Sequence, residues 1–123
     1  CPLWLNEGLA QYQEFQAAYG SPETLRPDYE NLLQKEFIEK RNFVDLNSVP
    51  SLIGGSSHYD VARGYLASYL AVRCIADFYG EQSFDSLLSS LGSGKSLDEA
   101  MTEATGRTMP EFQEEHEDWL RNL

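Results

Sequence analysis

The sequence is poor in basic residues and cysteine, and it has no long apolar run. Nine lysines and arginines stand against 20 aspartates and glutamates, which gives a formal net charge of -11. Because such a surface repels a phosphate backbone, the charge balance argues against nucleic-acid binding. No stretch approaches the roughly 20 apolar residues of a membrane-spanning helix, so we predict no membrane segment in this chain. We interpret the acidity as solvated helix faces. It leaves room for a basic protein partner, although no single feature of the sequence points to one.

Cysteine is scarce as well, because Cys1 and Cys74 are the only two in the sequence. Two cysteines cannot form a disulfide framework, and we expect free thiols. A single disulfide between them is the alternative if the parent protein is exported. The sequence has no initiator methionine and no signal peptide, and it opens within an apolar pattern. We therefore expect a segment of a longer protein, whose compartment the sequence does not indicate.

The residues that are present predict one helical domain over residues 1–123. Hydrophobic residues make up 41% of the chain and aromatic residues 12%, which is typical of a globular domain. Apolar residues recur at helical spacing over residues 3–19, ending at Gly20, and again over residues 27–40. Ser21-Pro22 is interpreted as the start of the next element. The broadest apolar stripe covers residues 59–79 and includes Phe78, so this stretch is expected to be a central, buried helix.

Three shorter helices are predicted after this stretch. The apolar positions Phe84, Leu87, Leu88 and Leu91 form one stripe that stops at Gly92. Ser96 with Glu99, and Thr108 with Glu111, have the spacing of capping boxes, which mark the starts of two further helices. Residues 42–57 show no sustained period, and they are predicted to be a loop because of Pro50 and a Gly-Ser run. Nothing in the sequence has the pattern of a strand, so the predicted fold is an all-α helical bundle.

The most informative segment is Trp4-Leu-Asn-Glu-Gly-Leu-Ala-Gln-Tyr-Gln-Glu14. Glu7 lies off the stripe of Leu5, Leu9 and Tyr12, on a face with Ala10, Gln11 and Glu14. The small residues Gly8 and Ala10 beside it would let another backbone or a metal come close. Spacing alone favours an ordinary hydrated face over a metal site.

This segment closely resembles the helix that supplies the third zinc ligand in gluzincin metallopeptidases. In those families an upstream His-Glu-x-x-His helix supplies two ligands and the general base, and the glutamate of Asn-Glu-Gly completes the protein ligand set. The resemblance implies that Glu7 is a zinc ligand and that the chain is the C-terminal subdomain of a zincin-like peptidase acting on a peptide or protein. Two imidazoles and one carboxylate leave zinc an open position at which bound water approaches a neutral pKa.

The resemblance also suggests a tyrosine that donates to the oxyanion. Tyr65 is the first candidate for this role and Tyr59 the second, because both lie near the start of the long helix. Their alternative interpretation is as core aromatic residues. Gluzincins include bacterial members, and later parts of this sequence resemble their later helices less sharply. These parts are the stretch from Tyr65 to Gly80 and the segments around Ser96, Ala104 and Trp119.

The sequence departs from the family because it contains no His-Glu-x-x-His. His116-Glu-Asp-Trp-Leu120 begins correctly but has leucine where the second ligand must be, so His116 is interpreted as a packing or partly exposed histidine. His58 is interpreted as an ordinary loop histidine. With one ligand, this chain alone is expected to bind no stoichiometric zinc and to be inactive.

Three accounts therefore remain open. The parent is a working zinc peptidase whose histidines precede Cys1, or a non-catalytic, peptidase-like helical interaction module, or a helical module unrelated to peptidases. In a segment of a larger domain, we also expect exposed apolar surface around Trp4 and the long helix, which a homo-oligomer would cover.

Overall fold

The computed structural model describes residues 1–21 and 24–123, and within these ranges the chain is helical with no strand. The predicted all-α helical bundle is confirmed. No helix in the described ranges is both long and apolar enough to cross a bilayer. The α-helices are α1 (Leu3–Tyr19), α2 (Pro27–Leu32), α3 (Val49–Ile53), α4 (His58–Tyr79), α5 (Gln82–Gly92), α6 (Leu97–Thr105) and α7 (Met109–Arg121). A π-helix, Leu33–Glu39, continues α2, and a 3-10 turn, Leu46–Ser48, precedes α3.

Helix α4 is the centre of the bundle, as its broad apolar stripe predicts. A nearly continuous run of its residues, from Gly64 to Ile75, is buried, and its most extensive partner is α1. The prediction of burial is wrong at the last turn of α4, where Phe78 is 52% exposed beside α7. Leu88 of α5, also predicted to face the core, is 44% exposed. In both cases helical spacing is right, but the apolar stripe is wider than the surface that neighbouring helices cover.

Local capping signals place the helix ends where the sequence predicts them. Gly20 ends α1 in the left-handed conformation, with φ of 70°, and donates its N–H to the carbonyl of Gln16. The hydroxyls of Ser96 and Thr108 each accept from the third residue of the following helix, and the glutamate there bonds back to the cap. Both capping boxes are thus confirmed. The interpretation of Ser21-Pro22 falls partly outside the described residues.

The prediction of a loop over residues 42–57 is wrong in its middle. This segment contains the 3-10 turn and α3, and it buries Leu46 and Val49 almost completely. Pro50 does not break structure here, because it occupies the first turn of α3, where a missing N–H costs nothing.

The expected apolar exposure around Trp4 is also wrong. Trp4 is 2% exposed, and its ring stacks on Phe112 of α7 with centroids 6.1 Å apart. Phe112 stacks in turn on His116, and His116 on Trp119. The chain therefore covers Trp4 with its own C-terminal helix, and this residue offers no surface for a homo-oligomer.

Candidate functional site

Glu7 and Tyr65, far apart in the sequence, line the same surface depression between α1 and α4. The depression has a volume of about 200 Å³. Both residues are partly exposed. Ala10, Gln11 and Glu14 lie in the same depression, which confirms the predicted grouping of these residues on the Glu7 face of α1.

The position of α1 on α4 depends on Gly8. A Cβ atom at Gly8 would lie 2.3 Å from the carbonyl oxygen of Ser68 and 2.5 Å from Cγ2 of Val72. Since real Cβ contacts are never this short, only glycine permits the observed separation of the two helices. The small residue beside Glu7 therefore admits the backbone of another helix.

Gln11 fixes the same helix pair through its side chain. It is 8% exposed, and its Nε2 donates to the carbonyl oxygen of Tyr65 at 2.9 Å and to that of Glu7 at 3.4 Å. One buried amide thus bridges the backbones of the two candidate residues. Such a buried amide is costly to leave unpaired, so the bond holds α1 and α4 in one register beside the depression.

The remaining wall of the depression comes from the start of α2. Tyr29 is 8% exposed, and burial raises the pKa of its phenol. The guanidinium of Arg26 lies 4.4 Å from the centre of this ring and forms a two-point contact with Asp28. Because Asp28 pairs with Arg26, the carboxylates of Glu7 and Glu14 determine the sign of the electrostatic potential in the depression. The site is electronegative and open, which suits a cation.

Tyr59, the second candidate for an oxyanion donor, does not line the depression. It is 46% exposed, and its hydroxyl hydrogen-bonds the carboxylate of Glu36 in the π-helix. Glu36 also accepts from Lys40 at 3.2 Å, and these bonds hold the pKa of its carboxyl below the usual range. Tyr59 therefore attaches the π-helix to the first turn of α4. Of the two tyrosines considered as oxyanion donors, Tyr65 is the one that shares the depression with Glu7.

Neither histidine lies at the depression. His116 is 1% exposed between aromatic rings, which confirms its interpretation as a packing residue, and burial lowers its pKa to about 3. His58 is exposed and is the first residue of α4, so its placement in a loop is wrong by a single position.

The donor set fits one part of a zinc site. Glu7 is partly exposed and lines the depression, but no group of three or more histidine, cysteine, aspartate or glutamate side chains in residues 1–21 and 24–123 is arranged to hold a metal. A structural or catalytic zinc needs at least three protein ligands. Among the described residues, Glu7 could therefore contribute one of these ligands.

The sequence reasoning did not find the wall formed by Arg26 and Tyr29. Their only local signal is the Arg-Pro that opens α2, and nothing in it indicates contact with α1. Gln11 was placed on the correct face, but its bond to Tyr65 depends on how α1 and α4 pack.

Comparison of the chain with protein-family models, curated proteins and solved structures finds no match. The resemblance to gluzincins consequently depends on the opening motif.

Proposed function

We propose that this chain is the part of a gluzincin-type zinc metallopeptidase that supplies the third protein ligand, through Glu7. The observation that carries the proposal is the shared depression of Glu7 and Tyr65. The resemblance to gluzincins implies that both residues belong to one active site, although they come from different helices. An electronegative, solvent-open surface at Glu7 agrees with a role in metal binding.

Under this proposal, two histidine ligands and the general base come from a segment outside these 123 residues. When bound, zinc would supply a Lewis acid and an activated water. Within this chain, Glu7 would contribute negative charge to the metal, and the packing of Gly8 and Gln11 would hold α1 at a fixed position. The isolated chain would be inactive.

Tyr65 would contribute a hydroxyl donor to the oxyanion of the peptide carbonyl. Its backbone is fixed by Gln11, and its side chain is partly exposed at the depression. In an active parent protein, Tyr65→Phe should lower kcat by about tenfold or more, since one oxyanion donor contributes at least this much. Tyr59→Phe is the matched control and should leave kcat unchanged. Normal turnover in Tyr65→Phe would remove this residue from the proposed mechanism.

The deciding experiment begins with the gene sequence that precedes the codon for Cys1. If it encodes a His-Glu-x-x-His helix, the longer protein is expressed with Glu7 intact and as Glu7→Gln, and zinc is measured by mass spectrometry beside peptide hydrolysis. We expect about one zinc per chain and activity in the first protein, and loss of both in the variant. Glu14→Gln is the control, because Glu14 lines the same depression and loses the same charge.

Two outcomes would contradict the peptidase proposal. If the upstream helix is present with its histidines replaced, and Glu7→Gln changes neither fold nor metal content, the chain belongs to a non-catalytic module. If no comparable helix precedes Cys1, the resemblance of the opening motif is accidental.

A further inference from the structure

A second open surface lies on the opposite end of α4, where its last turn meets α7. We call it the α7 cleft, and it has a volume of about 560 Å³. Phe78 and Trp119 form its apolar part, and Glu111, Glu114, Glu115 and Asp118 lie along it. The carboxylates follow one face of α7, so the acidic row from Glu111 to Asp118 is about 10 Å long.

The aromatic residues of the cleft differ in how they are held. Trp119 is fixed: its indole N–H donates to Asp77 at 3.2 Å, Arg73 lies against its ring, and His116 stacks on it. Phe78 is 52% exposed, although it lies at the end of the central helix. An exposed phenyl ring beside a fixed indole provides apolar surface on which a long side chain can pack.

The charge of the cleft remains negative after its internal pairs are counted. Arg107 pairs with Glu115, with Nε and Oε2 3.4 Å apart, and Arg121 pairs with Asp118 at 2.6 Å. Glu111 accepts from the backbone N–H of Thr108 at the start of α7, and it also interacts electrostatically with Arg107, which already pairs with Glu115. Glu114 is exposed, and its side chain makes no hydrogen bond or ion pair within the described residues. The four carboxylates of the cleft therefore outnumber the two arginines that pair with them, and Glu114 has no cationic partner among the described residues.

We propose that the α7 cleft binds a short basic segment of a protein partner, with a lysine or arginine side chain laid across Phe78 and its charge directed to Glu114. The methylene stem of such a side chain covers apolar surface, and its cation is attracted to both the ring face and the carboxylates. The negative charge of the cleft favours a basic segment over two other kinds of partner. A second copy of the chain would bring a net charge of -11 to an acidic surface, and a nucleic acid would bring phosphates.

The test uses the chain as it is, with a capped heptapeptide of alternating lysine and serine as the probe and the same peptide with glutamate for lysine as its control. Binding is measured by calorimetry, and the contact surface is mapped from backbone amide chemical shifts. We expect one-to-one binding of the lysine peptide alone, with the shifts clustered at Phe78 and along residues 111–119. Unfolding curves of every variant establish that the fold is retained.

Matched variants separate the cleft from the general acidity of the protein. Phe78→Ala should weaken binding about fivefold, the magnitude of a cation–π contact at an exposed site, whereas Leu88→Ala, an exposed apolar residue of α5, should not. Glu114→Lys should weaken binding more than Glu30→Lys, an exposed glutamate of α2.

Three results would overturn the proposal. They are no binding, equal losses in Glu114→Lys and Glu30→Lys, and concentration-dependent dimerisation that protects Phe78. The first two would mean that the cleft selects no basic segment, and the third would make it an interface between copies. None of these results bears on Glu7, because the α7 cleft and the Glu7 depression share no lining residue.

Discussion

Replacing Gly8 with alanine tests the helix contact beside which Glu7 lies. The added Cβ would meet the Ser68 carbonyl oxygen at 2.3 Å and Val72 Cγ2 at 2.5 Å. Both neighbours are fully buried, and the first is a backbone atom, which no change of rotamer can move away. The clash can therefore be relieved only by separating α1 from α4, by about 1 Å to restore an ordinary contact of 3.4 Å.

The expected effect combines two opposing terms. Alanine is favoured over glycine inside a helix by about 1 kcal/mol. Overpacking a well-packed core costs about 1–3 kcal/mol, and this substitution lies at the upper end because it disturbs the most extensive helix pair of the chain. We expect a net loss of about 2 kcal/mol, or a decrease in Tm of about 8 °C for a domain of this size.

Urea and thermal unfolding, followed by circular dichroism, measure this loss. Gly92→Ala is the matched control, because Gly92 lies in helix α5 and a Cβ there would meet nothing within 4 Å. It should be neutral or slightly stabilising. If Gly8→Ala were as stable as the unsubstituted protein, the close approach of α1 to α4 would be refuted, and with it the placement of Glu7 next to Tyr65.

Two further predictions concern buried titratable groups. Burial lowers the pKa of His116 to about 3, so below an unfolded pKa of about 6.5 the unfolded chain binds a proton that the folded chain does not. Its contribution to stability is therefore present at neutral pH, and the free energy of unfolding should fall by about 2–3 kcal/mol between pH 6 and pH 4. Urea unfolding at several pH values should show this slope, and His116→Phe should reduce it. An unchanged slope in the variant would contradict the assignment. Cys1 is exposed, and Cys74 is fully buried with a pKa that burial raises, so iodoacetamide should modify one thiol in the native protein and both in urea. Mass spectrometry counts the adducts, and rapid double modification of the native protein would show that α4 is not covered as described.

The sequence predicts best those features that are encoded over a few neighbouring residues. The left-handed glycine after α1 and the capping boxes at Ser96 and Thr108 act locally, so their helix ends agree with the structure. Helix α3 was missed because a proline such as Pro50 is compatible with two structures. Proline breaks a helix in its interior, but it is favourable in the first turn of a helix. Only the burial of Val49 against the rest of the bundle distinguishes a helix start from a helix break at this position.

Contacts between helices are beyond the reach of these local signals. Tyr59 and Tyr65 both lie at the start of α4 and both qualify by position along the chain. They are six residues apart, which at about 100° per residue places them roughly 120° apart around the helix axis. Only one of them can face α1, and the structure shows that it is Tyr65. The choice depends on how α4 is rotated, which the pattern of a broadly apolar helix does not determine.

The packing of Gly8 and the exposure of Glu7 are two consequences of one helix orientation. Adjacent residues on a helix point about 100° apart, so fixing Gly8 against Ser68 turns Glu7 toward the edge of the interface and into the depression. A glycine required by packing is therefore no argument against a ligand role for its neighbour. Under the proposed function, the same packing would orient Glu7 toward the metal without a dedicated second contact. The two substitutions separate these roles: Gly8→Ala should lower stability in the isolated chain, whereas Glu7→Gln should leave the isolated chain folded and act only where a metal is bound.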